Sequence, residues 1–461
     1  MEGSIMASTY DLLVIGAGPA GLSAASTAAA QGKTVALIER DKLGGTCHNY
    51  GCDPTKTLLH VAHTLHEAQH AARFGLHLGA PTFDWNAVQR WVRQVLEQMQ
   101  GGSDAAARAD LTQQGIEVVH GEAHFTSAHT VAVGERTLHG AQIILAPGTQ
   151  AVVPPIDGLA EAGYITNVEA VALPALPGRL AILGSGPIGV EFAQLFARFG
   201  VAVTVLERDS QPLGTEDREL ADQLCGLLVE EGIRIETAVE LKRVERSAEG
   251  KRLVFTHGTD AEQTLLVDEI MVAVGRTPAI DALQLERAGV ETNEHGITVD
   301  ATLRTNVPHI WAVGDVASPY QFTHVAEAHG TLAAQNAFAA EPQPFDDRVV
   351  PWGVYTSPEL AHVGKTEAEL QEAKTPYTVA RVSMAENDRA ITMGSTSGLV
   401  KLLIGADNLL LGGHVLGAHA GEIIAPVVLA MQAGLTVAQL AQAMLPYPTL
   451  AAAVKQAAED Q

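Results

Sequence analysis

The stretch "GGTCHNYGCDPTK", Gly44 to Lys56, holds Cys47 and Cys52, two of the three cysteines in a chain of 461 residues. The C-x4-C spacing admits three chemistries: a redox-active dithiol, part of a metal site, or a structural bridge. In a regular helix, residues i and i+5 have Cα atoms roughly 8–9 Å apart, too far for a disulfide. A bridge therefore needs a distorted first turn, and Gly51 supplies the freedom for it. Pro54 suits the first turn of a helix that resumes with "TKTLLHVAHTLHEAQHAARFG". A thiolate at a helix N-terminus is stabilised by the dipole, which lowers its pKa. Zinc would require two more ligands at ordinary spacing, and no further cysteine is at hand. The remaining one, Cys225 in "ADQLCGLLVEEG", falls on an apolar helical face and reads as buried and inert. His48, between the pair, is placed to tune their pKa or to be a plain loop residue.

The helix after the cysteines carries His60, His63, His66 and His70 with Glu67. At ~100° per residue these share one face. The stripe reads as a polar face at a surface or subunit contact, with a copper or zinc site as the alternative. No residue is assigned as a metal ligand.

Two longer elements must supply electrons to such a pair. "YDLLVIGAGPAGLSAASTAAAQGKTVALIER", Tyr10 to Arg40, reads strand, glycine turn, alanine-rich helix, strand. Its triplet is Gly16, Gly18 and Gly21, and Glu39 ends the second strand. Gly16 permits the tight turn, Gly18 lets a pyrophosphate approach the backbone, and Gly21 lets helix and strand pack closely. The helix N-terminus then offers free N–H groups to phosphate, and Glu39 can accept from a ribose diol. The pattern recurs at "RLAILGSGPIGVEFAQLFARFGVAVTVLER" with Gly184, Gly186, Gly189 and Glu207. From Gly16 to Glu39 and from Gly184 to Glu207 there are 23 positions in each case. One chain thus reads as binding two dinucleotides, economically a flavin that stays and a nicotinamide that comes and goes. Glu207 favours a free 2′-hydroxyl and hence NADH, while Arg208 beside it keeps NADPH as the alternative.

At 461 residues the chain is long enough for about three domains. Apolar residues make up 47%, so large cores form without covalent staples. A net charge of −24 argues against nucleic acid or an anionic membrane as partner. There is no apolar run long enough to suggest a membrane span. The opening "MEGSIMASTYD" is too short and too acidic for a secretory signal, with Met6 as a second candidate start. Three cysteines in so long a chain make no disulfide scaffold, and the expected compartment is the cytoplasm.

With these motifs in place, the chain resembles the FAD-dependent pyridine nucleotide–disulfide oxidoreductases, which include dihydrolipoamide dehydrogenase, glutathione reductase and mercuric reductase. The resemblance covers residues 8 to 458. It rests on "GGTCHNYGC", both fingerprints, "VAVGRTP" (Val272–Pro278), "IWAVGDVA" (Ile310–Ala317) and "YTSPELAHVGKTEAEL" (Tyr355–Leu370). It implies FAD on the first fingerprint, where Pro19 and Ala20 join the glycines, and NAD(P)H on the second. It implies that Cys47 and Cys52 form a redox disulfide, Cys52 the flavin-proximal thiolate and Cys47 the thiol that exchanges with substrate. Asp315, after Gly314, should contact the ribityl chain, and Phe322, Thr323 and His324 should lie beside the flavin ring. Gly121 and Ala123 should lie near the adenine, and Lys56 near flavin N5, paired with Glu191. Gly45, Thr46, Gly148 and Gly275 complete the implied cofactor contacts, although Pro147 departs from the threonine usual before Gly148.

The C-terminal "MLPYPTLAAAVKQAAED" departs further. Related disulfide reductases carry a histidine where Tyr447 stands and a glutamate where Ala452 stands, the histidine shuttling a proton across the dimer. A phenol titrates near about 10 and makes a poor base at neutral pH. The Pro-Tyr pair and "PTK" look closest to mercuric reductase and its relatives, although the ending "VKQAAEDQ" holds no cysteine. The expected fold is α/β: two Rossmann-like dinucleotide-binding domains and a C-terminal α+β dimerisation domain. Residues 1–151 and 279–346 are expected to bind FAD, 152–278 the nicotinamide, and 347–461 to dimerise. The expected function is electron transfer from NADH through FAD to the cysteine pair, then to a metal ion, a quinone or a small disulfide. The alternatives are a dihydrolipoamide dehydrogenase with an altered proton path and a non-catalytic flavin-bearing scaffold. Neither nucleic acid nor membrane is expected as a partner, and a homodimer is, with Tyr447 completing the other subunit's site.

Overall fold

The structure, a computed structural model, describes residues 8–460, so the Met6 start lies outside it. The expected α/β architecture is present, arranged as two compact units. One gathers the chain up to Thr57 with Asn86–Val152 and Arg276–Asp346; the other gathers Leu58–Trp85, Val153–Gly275 and the chain from Asp347 onward.

In the first unit, parallel strands run in the order Ile116–His120, Val35–Glu39, Ser8–Ile15, Arg136–Leu145. An antiparallel hairpin, Ala123–Ser127 with Thr130–Val133, extends this sheet, and Ile310–Ala312 pairs parallel with Arg136–Leu145. Successive strand residues point to opposite faces. Leu12 and Val14 therefore pack with Ala20, Ala24 and Ala28 of helix Pro19–Ala30, while Leu13 and Ile15 pack with Phe125 and Val131 on the other face. Burial on both faces explains why the strand reads "LLVI" without alternation.

The second unit repeats the motif in four parallel strands, Arg234–Glu236, Ala202–Leu206, Arg179–Leu183 and Glu269–Val272. Helix Pro187–Arg198 follows its glycine turn. The unit also holds a five-stranded antiparallel sheet, in the order Pro351–Val354, Glu359–Gly364, Leu410–Gly417, Leu399–Gly405, Tyr377–Ser383. Ala453, Val454 and Ala457 of helix Ala452–Glu459 pack into its core against Val400 and Leu402. No helix among the described residues is long and apolar enough to cross a membrane.

The two glycine turns coincide in detail. Gly16 and Gly184 have φ of 101° and 100°. A Cβ on Gly21 would fall 1.8 Å from the Gly16 carbonyl oxygen, and one on Gly189 would fall 2.1 Å from that of Gly184. Beside Gly18 and Gly186, by contrast, a Cβ would meet nothing within 4 Å.

Candidate active site

The cysteines sit where one short helix stops and the next begins. Gly45–Tyr50 ends at Gly51, whose backbone (φ −127°, ψ −109°) leaves the helical region, and Cys52–Gln69 starts at once. The break overcomes the i,i+5 separation of a regular helix, and the two sulfurs hydrogen-bond to each other. The segment is seated on the first fingerprint. The Gly44 amide donates to the Ala17 carbonyl at 2.8 Å. A Cβ on Gly45 would lie 2.8 Å from Gly18 Cα, so only glycine permits this approach. Thr46 follows half-buried, and its carbonyl oxygen would be 3.0 Å from a Cβ on Gly51.

Thr323 closes the site from the start of helix Thr323–Asn336. Its hydroxyl donates to Cys47 Sγ at 2.9 Å and lies 3.5 Å from Cys52 Sγ. The pair is electrostatically unequal. The hydrogen bond with Cys47, then Thr323 and the Lys56 ammonium, outweigh burial and bring Cys52 down to about 6. The same shared bond, with burial, pushes Cys47 upward. Both directions favour the anion on Cys52 over Cys47 when the two sulfurs are reduced. Cys225 is buried, and burial raises it to about 11, as befits an inert thiol.

Among the residues assigned to FAD, Gly16, Gly18, Pro19, Ala20 and Gly21 form one turn and helix start. The helix has no side-chain cap, which leaves its first amides to a ligand. Glu39 is buried and accepts from the Ala17 and Asp41 amides at 2.7 and 2.8 Å, holding its carboxylate at the turn. Gly121 donates to the Glu39 carbonyl at 2.9 Å, and Ala123 is buried two residues on. These residues fit a dinucleotide: an open approach at Gly18, free amides, and an ionic acceptor one strand away. Gly148, with φ of 68°, precedes Thr149, so the turn forms despite Pro147. Phe322 and His324 stack with ring centroids 5.8 Å apart, on either side of Thr323.

A network missed by sequence reasoning supports Asp315. Arg276 donates to the Thr149 hydroxyl at 2.8 Å and to its carbonyl at 2.7 Å, and the hydroxyl donates to Asp315 at 3.0 Å. Burial pushes the Asp315 carboxyl up, against Thr149 and Arg276. Gly314 precedes Asp315 with φ of 73°. The signal in the sequence was Arg276 itself, the charged residue of "VAVGRTP".

In the second unit, Glu207 accepts from the Ser185 amide and hydroxyl at 2.7 and 2.6 Å and from the Asp209 amide at 2.9 Å. Burial opposes ionisation, yet the Ser185 hydroxyl and backbone amides hold this carboxyl below its usual range. Gly275 has φ of 125°. Glu191 is buried and accepts from the Tyr355 amide at 2.8 Å. Tyr447 is exposed, and its hydroxyl donates to Asp388 at 2.8 Å.

The histidine stripe does not converge. His63 meets the Arg198 guanidinium and the Ser357 hydroxyl, both at 3.3 Å, and His66 stacks on His70 at 4.2 Å. Arg198 is itself paired with Glu231 at 2.8 Å. Burial and Arg198 lower His63, and lower His66 to about 4, so both stay neutral.

Two nucleotide-type turns and a dithiol on one chain define a class: oxidoreductases that pass electrons between a dinucleotide and a sulfur pair. The chain belongs to the pyridine nucleotide-disulphide oxidoreductase family, matching it over residues 10–330 and its dimerisation domain over residues 350–458. It is 39% identical over 459 residues to a mercuric reductase of Streptomyces lividans, covering 98% of this chain and 96% of the relative. It is 36% identical to a dihydrolipoyl dehydrogenase of Thermus scotoductus, with 98% and 97% covered. The HOCl-induced flavoprotein disulfide reductase RclA of Escherichia coli superposes with a TM-score of 0.87 at 32% identity, covering 98% of this chain and 99% of that one. That protein is also known as a Cu(II) complex.

Proposed function

We propose that this protein is a cytoplasmic, homodimeric flavoprotein that carries electrons from NADH to the Cys47–Cys52 pair and on to a metal ion, a quinone or a small disulfide. FAD, when bound, would take hydride equivalents from the nicotinamide and reduce the disulfide. The chain's own residues divide the remaining work. The fingerprint turns bind and orient the dinucleotides, Glu39 and Glu207 take the riboses, and Asp315 is held ready by Thr149 and Arg276. Lys56 and Thr323 stabilise the anion on Cys52, leaving Cys47 to meet the acceptor. Phe322 and His324 would lie beside the flavin ring, and Gly121 and Ala123 near the adenine.

The observation that carries this reading is the geometry of the sulfur pair: the helix breaks at Gly51 between Cys47 and Cys52, and one Thr323 hydroxyl lies 2.9 Å from the first sulfur and 3.5 Å from the second. For the acceptor, a metal ion is favoured, with quinones and small disulfides behind it. Tyr447 supports that order, because a phenol whose proton is already donated to Asp388, and whose pKa is raised by it, does not shuttle protons to a departing thiolate at neutral pH. The names of the mercuric reductase and of the Cu(II)-bound RclA point the same way. A second reading, dihydrolipoamide oxidation, is favoured by the Thermus relative.

The test is anaerobic titration with NADH, followed by steady-state rates with Cu²⁺, Hg²⁺, quinones, small disulfides and dihydrolipoamide/NAD⁺. A long-wavelength thiolate–flavin absorption should appear and vanish in Cys52→Ser. If it never appears, the redox-disulfide assignment is wrong. Ordinary enzymatic rates with dihydrolipoamide would select the second reading.

A further inference from the structure

We propose that His48 and Asp53 form an acid–base couple for the Cys47 thiol within a single chain, so that the site carries its own proton donor beside the exchanging sulfur. The inference rests on the redox-disulfide reading and deepens it.

The geometry is specific. His48 follows Cys47 in helix Gly45–Tyr50, and Asp53 follows Cys52 in the next. The break at Gly51 turns the second helix so that Asp53 Oδ2 lies 2.5 Å from His48 Nδ1. The imidazole rests over Gly44, where a Cβ would come within 2.7 Å of its ring carbon Cδ2. Cys47 Sγ, a ring nitrogen of His48 and a carboxylate oxygen of Asp53 all lie within 4.8 Å of one another. The Asp53 side chain is 14% exposed and that of His48 32%, so the carboxylate is sheltered while the imidazole keeps an edge to water. The groups facing the imidazole are Asp53 and Cys52 from the following helix and Glu327 from helix Thr323–Asn336; all three favour its cation. The Lys56 ammonium acts instead on Cys52.

The chemistry balances. Two electrons originating in the reduced pyridine nucleotide break the Cys47–Cys52 bond and leave two sulfur anions. The His48 imidazolium gives its proton to Cys47 Sγ, and the second negative charge remains on Cys52 near Lys56. When Cys47 attacks a two-electron acceptor, its proton returns to His48. The disulfide re-forms, the electron pair leaves on the acceptor, the proton passes from His48 to the reduced acceptor, and His48 takes a proton from water to restore the imidazolium. Asp53 is the positioning residue: it orients the imidazole and holds its charge. The same three residues are compact enough to meet an ion, but Nδ1 and Oδ2 already face each other.

The experiment uses the FAD-loaded dimer, NADH, and two acceptors, a small aromatic disulfide and Cu²⁺, with His48→Gln and Asp53→Asn. Two readouts are taken against pH: kcat/KM and, separately, the rate at which iodoacetamide alkylates reduced Cys47. The wild type should show an inflection in both as the imidazolium loses its proton. His48→Gln should lose that inflection, with turnover of the disulfide falling ~10²-fold. Asp53→Asn should move it to lower pH by about one unit. FAD content, Tm and the thiolate–flavin absorption should persist in both variants. An unchanged pH profile in His48→Gln overturns the couple. So does a pH-independent loss that tracks FAD content, which marks a structural role, or a loss confined to Cu²⁺, which marks an ion clasp. If the wild type shows no thiolate–flavin absorption, the redox reading fails by itself, while the alkylation profile still reports the couple.

Discussion

Thr323 donates its hydroxyl hydrogen to Cys47 Sγ across 2.9 Å, although 276 positions separate the two residues in the chain. The same oxygen lies near Cys52, so one hydroxyl governs both sulfurs. A donor lost from a thiolate disfavours the anion and raises the pKa. In wild type the thiolate–flavin absorption should fade as pH drops through about 6, where Cys52 takes its proton. Thr323→Val should move that midpoint upward by about a unit. A pH titration of absorbance checks it, and an unmoved midpoint would remove Thr323 from this role.

Tyr447 is bonded to Asp388, and that neighbouring carboxylate raises the phenol's pKa further. The group therefore stays protonated throughout the neutral range. Tyr447→Phe should leave turnover with Cu²⁺ or quinones within about twofold of wild type between pH 6 and about 8. Tyr447→His should raise dihydrolipoamide oxidation by ~10-fold or more. Steady-state assays of both variants settle the matter, and a Tyr447→Phe enzyme inactive with every acceptor would give the phenol a larger part.

Glu207 stays ionised at the end of its strand, held by Ser185 and backbone amides. A fixed anion there repels a 2′-phosphate and accepts from a free ribose diol. The ratio of kcat/KM for NADH over NADPH should exceed one by at least ~10-fold and narrow by a similar factor in Glu207→Ala. A wild type preferring NADPH would shift the weight to Arg208.

Lys401 is 1% exposed in its side chain and meets Asp217 at 2.8 Å, Glu219 at 3.0 Å and Glu367 at 2.5 Å. Removing the ammonium strands the buried Asp217 carboxylate, beside Glu219 and Glu367, which keep partial access to water. Lys401→Met should cost about 3–5 kcal/mol, in line with breaking a buried ion pair by deleting one partner. Melting of the FAD-loaded protein reports it as a drop in Tm. Lys401→Met with Asp217→Asn and Glu367→Gln should recover part of that loss, because the stranded charges go too.

The two fingerprints were legible because every requirement is local: a positive-φ glycine, a bare Cα facing the ligand, a helix start and an acid 23 positions on. Their backbone geometry repeats almost to the degree. The cysteine pair was legible for the same reason, since Gly51 lies between the residues whose separation it must shorten. Arg276 was visible only as a charge in a motif. Its partner Thr149 lies 127 positions away, and only strand pairing of Arg276–Pro278 with Thr149–Ala151 joins them.

The sequence by itself determined the class: two dinucleotide turns, one sulfur pair, and a tyrosine where related enzymes carry a histidine. Only the tertiary structure decided what surrounds the sulfurs. Spacing along a helix would set His48 and Asp53 apart; the backbone at Gly51 turns them together. Thr323 reaches the same point from a distant helix, and Asp388 claims the Tyr447 hydroxyl. Local patterns encode backbone conformation, which is a property of a few residues at a time. Which charge answers which thiol depends on where whole elements pack, and no short stretch of chain contains that.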